Sequence, residues 1–201
     1  MTNPSSKKKS WLTTGYLTRI AMLAALASVL ALFEIPVIAF YKLDFSNLPV
    51  LLGGFAMGPV AGVVILALKC LIGLLHTSSM GIGKLADFLM GAALVLPAAI
   101  LYQRNKTRKT ALLGMLLGTL CMVVVSVLTN KYILFPFYMN AFKMDIQGLI
   151  YYVKVAGIDS EWKILLLITA PFNLLKGFVL SLITGLIYKP LSPILKAKKK
   201  E

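Results

Sequence analysis

The chain has 201 residues, 59% of them apolar or aromatic, and 21 Lys and Arg against 7 Asp and Glu give a formal net charge of +14. Soluble domains run at about 45–50% apolar and about 25% charged; at 14% charged, with its apolar residues in long unbroken runs, this chain is excluded from that class and reads as an all-α integral membrane protein. A span needs roughly 20 residues, so the length holds about six spans and no soluble domain, and Lys and Arg confined to chain ends and one loop exclude nucleic acid as a partner.

The first span is expected from Tyr16 to Ile38, preceded by Lys7, Lys8, Lys9 and Arg19 and closed by Glu34 and Pro36. The positive-inside rule places the N-terminus in the cytoplasm. Lys7–Lys9 followed by an apolar stretch containing Ala25-Leu26-Ala27 has the outline of a signal peptide. Because the rest of the chain is equally hydrophobic, an uncleaved first helix is expected. Its small residues include Ala21 and Ala25, four apart on one face, a spacing that serves either internal packing or close approach of another helix.

The polar and aromatic loop from Tyr41 to Asn47 follows, on the outside. Leu48 to Leu75 reads either as one kinked span or as two, divided at Gly58-Pro59. Charge decides. The basic loop from Gln103 to Lys109 belongs in the cytoplasm, so the span before it, Lys84 to Tyr102, starts outside, and only the two-helix reading delivers that. The second span is then short for a full bilayer and sits among neighbours or under thinned membrane. A fifth span runs from Thr110 to about Phe135 and stops at Pro136. An outer loop over 137–162 carries a short helix, and the sixth span, Lys163 to Tyr188, returns to the basic tail Lys196–Lys200. The expected organisation is a cytoplasmic tail (1–15), a six-helix membrane domain (16–190) and a second cytoplasmic tail (191–201).

An ionised side chain near the bilayer centre costs about 2.5–3.5 kcal/mol on insertion scales, so each one needs a partner, an escape or a use. Lys69 is expected to snorkel, and Lys84 and Asp87, three apart, to pair with each other. Asn173 and Lys176 share a helical face and Asn130 faces them; these are either inter-helix glue with a snorkelling lysine or a set of donors and acceptors for a planar ligand edge. Cys70 and Cys121 read as packing residues, and His76 receives no role. No phosphate loop, H-E-x-x-H or Ser/His/Asp set can be assembled, so neither an enzyme, a metal nor a resident cofactor is expected.

The runs Asp44-Phe45-Ser46-Asn47-Leu48-Pro49, Gly53 to Gly62, Ala86-Asp87-Phe88-Leu89-Met90-Gly91 and Pro171-Phe172-Asn173-Leu174-Leu175-Lys176-Gly177 resemble the riboflavin-specific S components of energy-coupling factor (ECF) transporters. The resemblance covers essentially the whole chain. It implies an S component in the bacterial plasma membrane that binds riboflavin from outside and docks, through Ala21 and Ala25, on a module of one scaffold transmembrane subunit and two ATP-binding subunits. It further implies that Asn130, Asn173 and Lys176 contact the isoalloxazine ring, that Leu43, Asp44 and Phe45 form a lid, and that Asp87 is a polar site position. Lys42 and Lys84 suit either riboflavin or its phosphate, FMN. An S component for another vitamin, or a small intramembrane enzyme, are the alternatives.

Overall fold

A computed structural model describes residues 13–38, 41–77, 80–143, 145–153, 155 and 157–195. The basic clusters Lys7–Lys9 and Lys196–Lys200, on which part of the sidedness argument rests, lie outside the described residues, as does the side chain of Lys189.

Pro36 decides where the first helix cannot go. Helix α1 is Thr14–Leu30 rather than Tyr16 to Ile38. Residues Ile35–Ile38 form strand β1, paired antiparallel with β2, Tyr41–Leu43. A proline ring disfavours helical backbone in the residue before it, here Ile35, and supplies no N–H of its own. The β-branched Ile35, Val37 and Ile38 then favour extended chain.

Helix α2 (Asn47–Met57) and helix α3 (Pro59–Gly73, continued by a 3-10 turn at Leu74–His76) divide at Gly58, in agreement with the two-helix reading. Gly58 has φ 105°, a region open to glycine without strain, and Pro59 starts the next helix with its φ already set. Helix α2 has only 11 residues. It is tolerated because Pro49 to Phe55 are all buried and the helix packs against α1, α3, α4 (Ile82–Arg104) and α9 (Ala170–Leu195).

Helix α5, Arg108–Thr129, begins at a capping box made by Thr107 and Thr110 and packs closely on α4. That approach needs Gly114 and Gly118. A Cβ on Gly114 would lie 2.9 Å from the Ala98 carbonyl oxygen, and one on Gly118 would overlap the Leu94 carbonyl. On the opposite side of α5, Leu112, Leu116, Leu120, Val124 and Leu128 are exposed at a four-residue spacing, a stripe suited to hydrocarbon.

The expectation that Pro136 ends the fifth span is corrected. The helix passes from α5 through a π turn at Asn130–Leu134 into α6, Phe135–Phe142. The same device recurs after the short helix α7 (Ile146–Val153), where α8 (Glu161–Ile164) continues through a π turn at Leu165–Thr169 into α9. Each π turn ends two residues before a proline, Pro136 or Pro171. A proline inside a regular helix removes one hydrogen bond and clashes with the carbonyl four residues back; widening the preceding turn accommodates both.

Among the described residues, four helical stretches are long and apolar enough to cross a membrane: Pro59–His76, Ile82–Arg104, Arg108–Phe142 and Glu161–Tyr188; Thr14–Leu30 and Asn47–Met57 are apolar but shorter. Replacing Gly118 by Val is expected to lower thermal stability in detergent by about 1–3 kcal/mol through overpacking against α4. Gly185→Val, facing only the flexible end of Met115 at 3.7 Å, should leave the melting temperature nearly unchanged.

Candidate functional site in a cavity beside the hairpin

Between the hairpin, α4, the two π-turn helices and α7 lies a cavity of about 410 Å³, within the usual range for small-molecule sites. Its lining mixes polar side chains, Asp44, Ser46, Asp87, Asn130, Asn173 and Lys176, with apolar and aromatic ones, Met90, Leu134, Tyr138, Leu149 and Phe172. Glu34, Tyr41, Lys42, His76 and Lys84 also line it.

Lys69 does not snorkel. It is 2% exposed and its three donors are all engaged, with Asp87 Oδ2 at 2.6 Å, Asn47 Oδ1 at 2.9 Å and Ser46 Oγ at 3.0 Å. The local Lys84–Asp87 pair is also corrected. With Asp87 taken by Lys69, Lys84 turns to Glu34 at 3.4 Å, and the same carboxylate holds Lys42 at 2.6 Å. A fully buried ammonium has more to gain from a carboxylate than one that still reaches solvent, which explains the choice.

The second buried pair joins Lys176 Nζ to Asp44 Oδ2 at 2.8 Å. Asp44 Oδ1 accepts from the Ser46 backbone N–H at 2.9 Å and from the Ser46 hydroxyl. Asp44 lies in the turn between β2 and α2. Burial opposes its charge, but the ammonium groups of Lys176 and Lys69 outweigh that and hold its carboxyl below the usual carboxylate range.

One amide sits in the first π turn and the other one turn beyond the second. Asn130 opens the first; its Nδ2 donates to the Ser126 carbonyl at 2.8 Å, and its Oδ1 accepts from the Tyr41 hydroxyl at 3.3 Å. Thr169 closes the second and hydrogen-bonds the same Tyr41 hydroxyl, while its carbonyl accepts from Asn173 Nδ2 at 2.9 Å. Tyr41 thus ties the hairpin to both helices, and its ring lies 5.4 Å from that of Phe172.

Of the residues singled out from the sequence, Asp44, Asp87, Asn130, Asn173 and Lys176 come together in the lining. Leu43, paired with Ile35 in the hairpin, and Phe45, packed on the apolar cluster around α2, are not among the lining residues. Ala21 and Ala25 are exposed on α1, whereas Ala24 and Ala27 are buried. Sequence reasoning missed Tyr41 and Thr169, which carry no spacing signal, and misjudged Lys69, whose partners come from two other segments, α4 and the start of α2.

A model of the family described as "ECF transporter, substrate-specific component" matches residues 15–188. The chain belongs to that family. It is therefore a membrane-embedded substrate-binding component of a transporter, not an enzyme. It is 33% identical over 184 residues to the riboflavin transporter RibU of Staphylococcus aureus (strain TCH60), covering 90% of this chain and 92% of that protein. It is 28% identical to the riboflavin transporter FmnP of Bacillus subtilis (strain 168), covering 90% and 93%. A solved S component of a bacterial ECF transporter matches with a TM-score of 0.70 at 30% identity, covering 91% of this chain and 98% of the other.

The lowered Asp44 titration carries a pH signature. A carboxyl that titrates lower in the folded than in the unfolded chain, where it sits near 3.9, stabilises fully above that value and loses its contribution as pH falls through the folded one. Asp44→Asn is expected to unfold at lower temperature than wild type at pH 7. The gap should narrow below about pH 4, as read by tryptophan fluorescence melts in detergent across pH 3 to 8; a pH-independent gap would contradict the charge pairing.

Proposed function

We propose that this chain captures riboflavin from outside the cell and delivers it inward with an energising module. The observation that carries this reading is the grouping of two amides and an ammonium, Asn130, Asn173 and Lys176, in the lining of a cavity that Phe172 and Tyr138 also line. An isoalloxazine ring has two apolar faces and one edge of carbonyls and ring nitrogens. The aromatic lining residues suit the faces, and the amides and Lys176 suit the edge, where each polar atom left unpaired in a dry pocket would cost about 1–3 kcal/mol. The similarity to proteins described as riboflavin transporters supports the same ligand.

In this reading the ribityl chain points to Glu34, Lys42 and Lys84, with Asp87 a polar neighbour, and the segment Leu43-Asp44-Phe45 serves as the lid. Nothing covalent happens. Binding replaces the ligand's water by fixed dipoles, and the closed lid keeps water out. Riboflavin is the transported ligand, FMN being the variant to test beside it, and no cofactor takes part.

The membrane arrangement belongs to the same proposal. The two shorter apolar helices, Thr14–Leu30 and Asn47–Met57, join the four longer ones as six spans, placing both termini and the exposed Arg104–Lys109 loop in the cytoplasm and lipid around the helices. Residues 16–190 are the membrane domain, flanked by the basic tails 1–15 and 191–201. The exposed Ala21 and Ala25 present a smooth face to the scaffold subunit, which carries two ATP-binding subunits.

Protein purified from riboflavin-fed cells is expected to be yellow and, once stripped, to quench added riboflavin. Lys176→Met and Asn173→Ala should each weaken binding by roughly 10- to 100-fold, the range for a hydrogen bond to a charged or buried group. A colourless protein that quenches no riboflavin would point to another vitamin. Ala21→Trp with Ala25→Trp should abolish uptake by cells while leaving riboflavin binding in detergent unchanged; lost binding would instead assign that face to internal packing.

A further inference from the structure

Lys69 is 2% exposed and is not among the residues lining the cavity. Yet two of the three groups it holds are part of the cavity wall. Asp87 and Ser46 line the cavity themselves, and Asn47 is the first residue of α2, the helix that follows the hairpin. The contacts continue beyond them: the Lys69 ammonium donates to Ser46 Oγ, that hydroxyl donates to Asp44 Oδ1, and Asp44 Oδ2 accepts from Lys176. A four-contact path with charges alternating in sign therefore runs from α4 through α3 and the start of α2 to α9.

An ammonium has three N–H donors and no acceptor. With all three spoken for by side chains of α4 and of the α2 start, Lys69 has no remaining donor to offer a ligand. It fixes the Ser46 hydroxyl with its proton pointing at Asp44, because the ammonium occupies the oxygen's acceptor side. Asp44 is thereby held on one oxygen and presents the other to Lys176. Pairing of this kind at membrane depth is expensive unless every member is satisfied, so the lysine is worth keeping only if something depends on its geometry.

We infer that Lys69 is a positioning residue for substrate binding: from behind the cavity wall it sets, through Ser46 and Asp44, where the Lys176 ammonium stands. The inference rests on the proposal that the cavity binds riboflavin. It does not require Lys69 to touch the ligand.

The test is a double-mutant cycle read by riboflavin fluorescence quenching on stripped protein in detergent: wild type, Lys69→Met, Lys176→Met and the double variant. A residue acting through Lys176 has little left to do once Lys176 is gone. Lys69→Met should weaken binding by at least about tenfold in the wild-type background and by less than about threefold in the Lys176→Met background. Equal losses in both backgrounds would mean general packing and overturn the inference, as would wild-type affinity in Lys69→Met. Should Lys69→Met fail to fold because Asp87 is left unpaired, the cycle is run in an Asp87→Asn background with the same criteria. If wild-type protein quenches no riboflavin, the substrate reading falls and this inference with it; if wild type binds and the cycle is additive, only this inference falls.

Discussion

A lysine ammonium in a membrane interior has to be met by acceptors on all sides, and two such groups, Lys69 and Lys176, organise this protein around their partners. Lys69 draws α3, α4 and the start of α2 together through Asp87, Asn47 and Ser46. Lys176 draws α9 to the segment after the hairpin through Asp44. The two pairs meet at Ser46. Apolar contacts are non-directional, whereas a charge-assisted hydrogen bond has a set geometry. The charged pairs therefore fix the register of α3, α4, α9 and the segment before α2, all of which except α3 contribute residues to the cavity lining.

The two π turns complement this framework. Each places a wider turn just before a proline and brings a polar residue, Asn130 or Thr169, into hydrogen-bonding reach of the Tyr41 hydroxyl. Irregular backbone at membrane depth is tolerated where it borders protein or a cavity; each turn buries one side, Asn130 and Leu134 in the first and Leu165, Ile168 and Thr169 in the second, while Tyr132, Leu166 and Leu167 face outward. Tyr41 gives the hairpin a foothold on both helices. The wall that carries Asn130, Asn173 and Lys176 is thus held by hydrogen bonds from several directions, which is what a site needs if its donors are to be in place before the ligand arrives.

Much of the helical order was legible in the sequence because its signals are local. Gly58-Pro59 marks a turn by backbone preference, and the basic stretch from Arg104 to Lys109 marks a helix connection by charge. What escaped is what depends on distant partners. Proximity along the chain suggested Lys84 with Asp87; the folded chain offers Asp87 a fully buried lysine from α3 and offers Lys84 the carboxylate of Glu34. Pro136 signals a helix end to any local rule, and only the preceding π turn, visible in the backbone, cancels it. The strand at Ile35–Ile38 was hidden by its hydrophobicity, since an apolar run beside a helix reads as more helix. Five of the seven expected ligand-site residues line the cavity; Asn130, Asn173 and Lys176 stand out already as costly polar groups within apolar runs, whereas Tyr41 and Thr169 stand out neither by charge nor by spacing, and the partners of Lys69 are distant in the chain.

In the proposed account, polar side chains held by buried ion pairs read the edge of a flavin, and membership of the S-component family supports it. The most direct measurement is the structure of the protein with riboflavin bound. The account predicts the isoalloxazine ring against Phe172, its carbonyl edge within hydrogen-bonding distance of Asn130, Asn173 and Lys176, and Lys69 still paired with Asp87 and out of contact with the ligand. A flavin lying elsewhere, or seated in the cavity with its edge turned away from those three side chains, would contradict it.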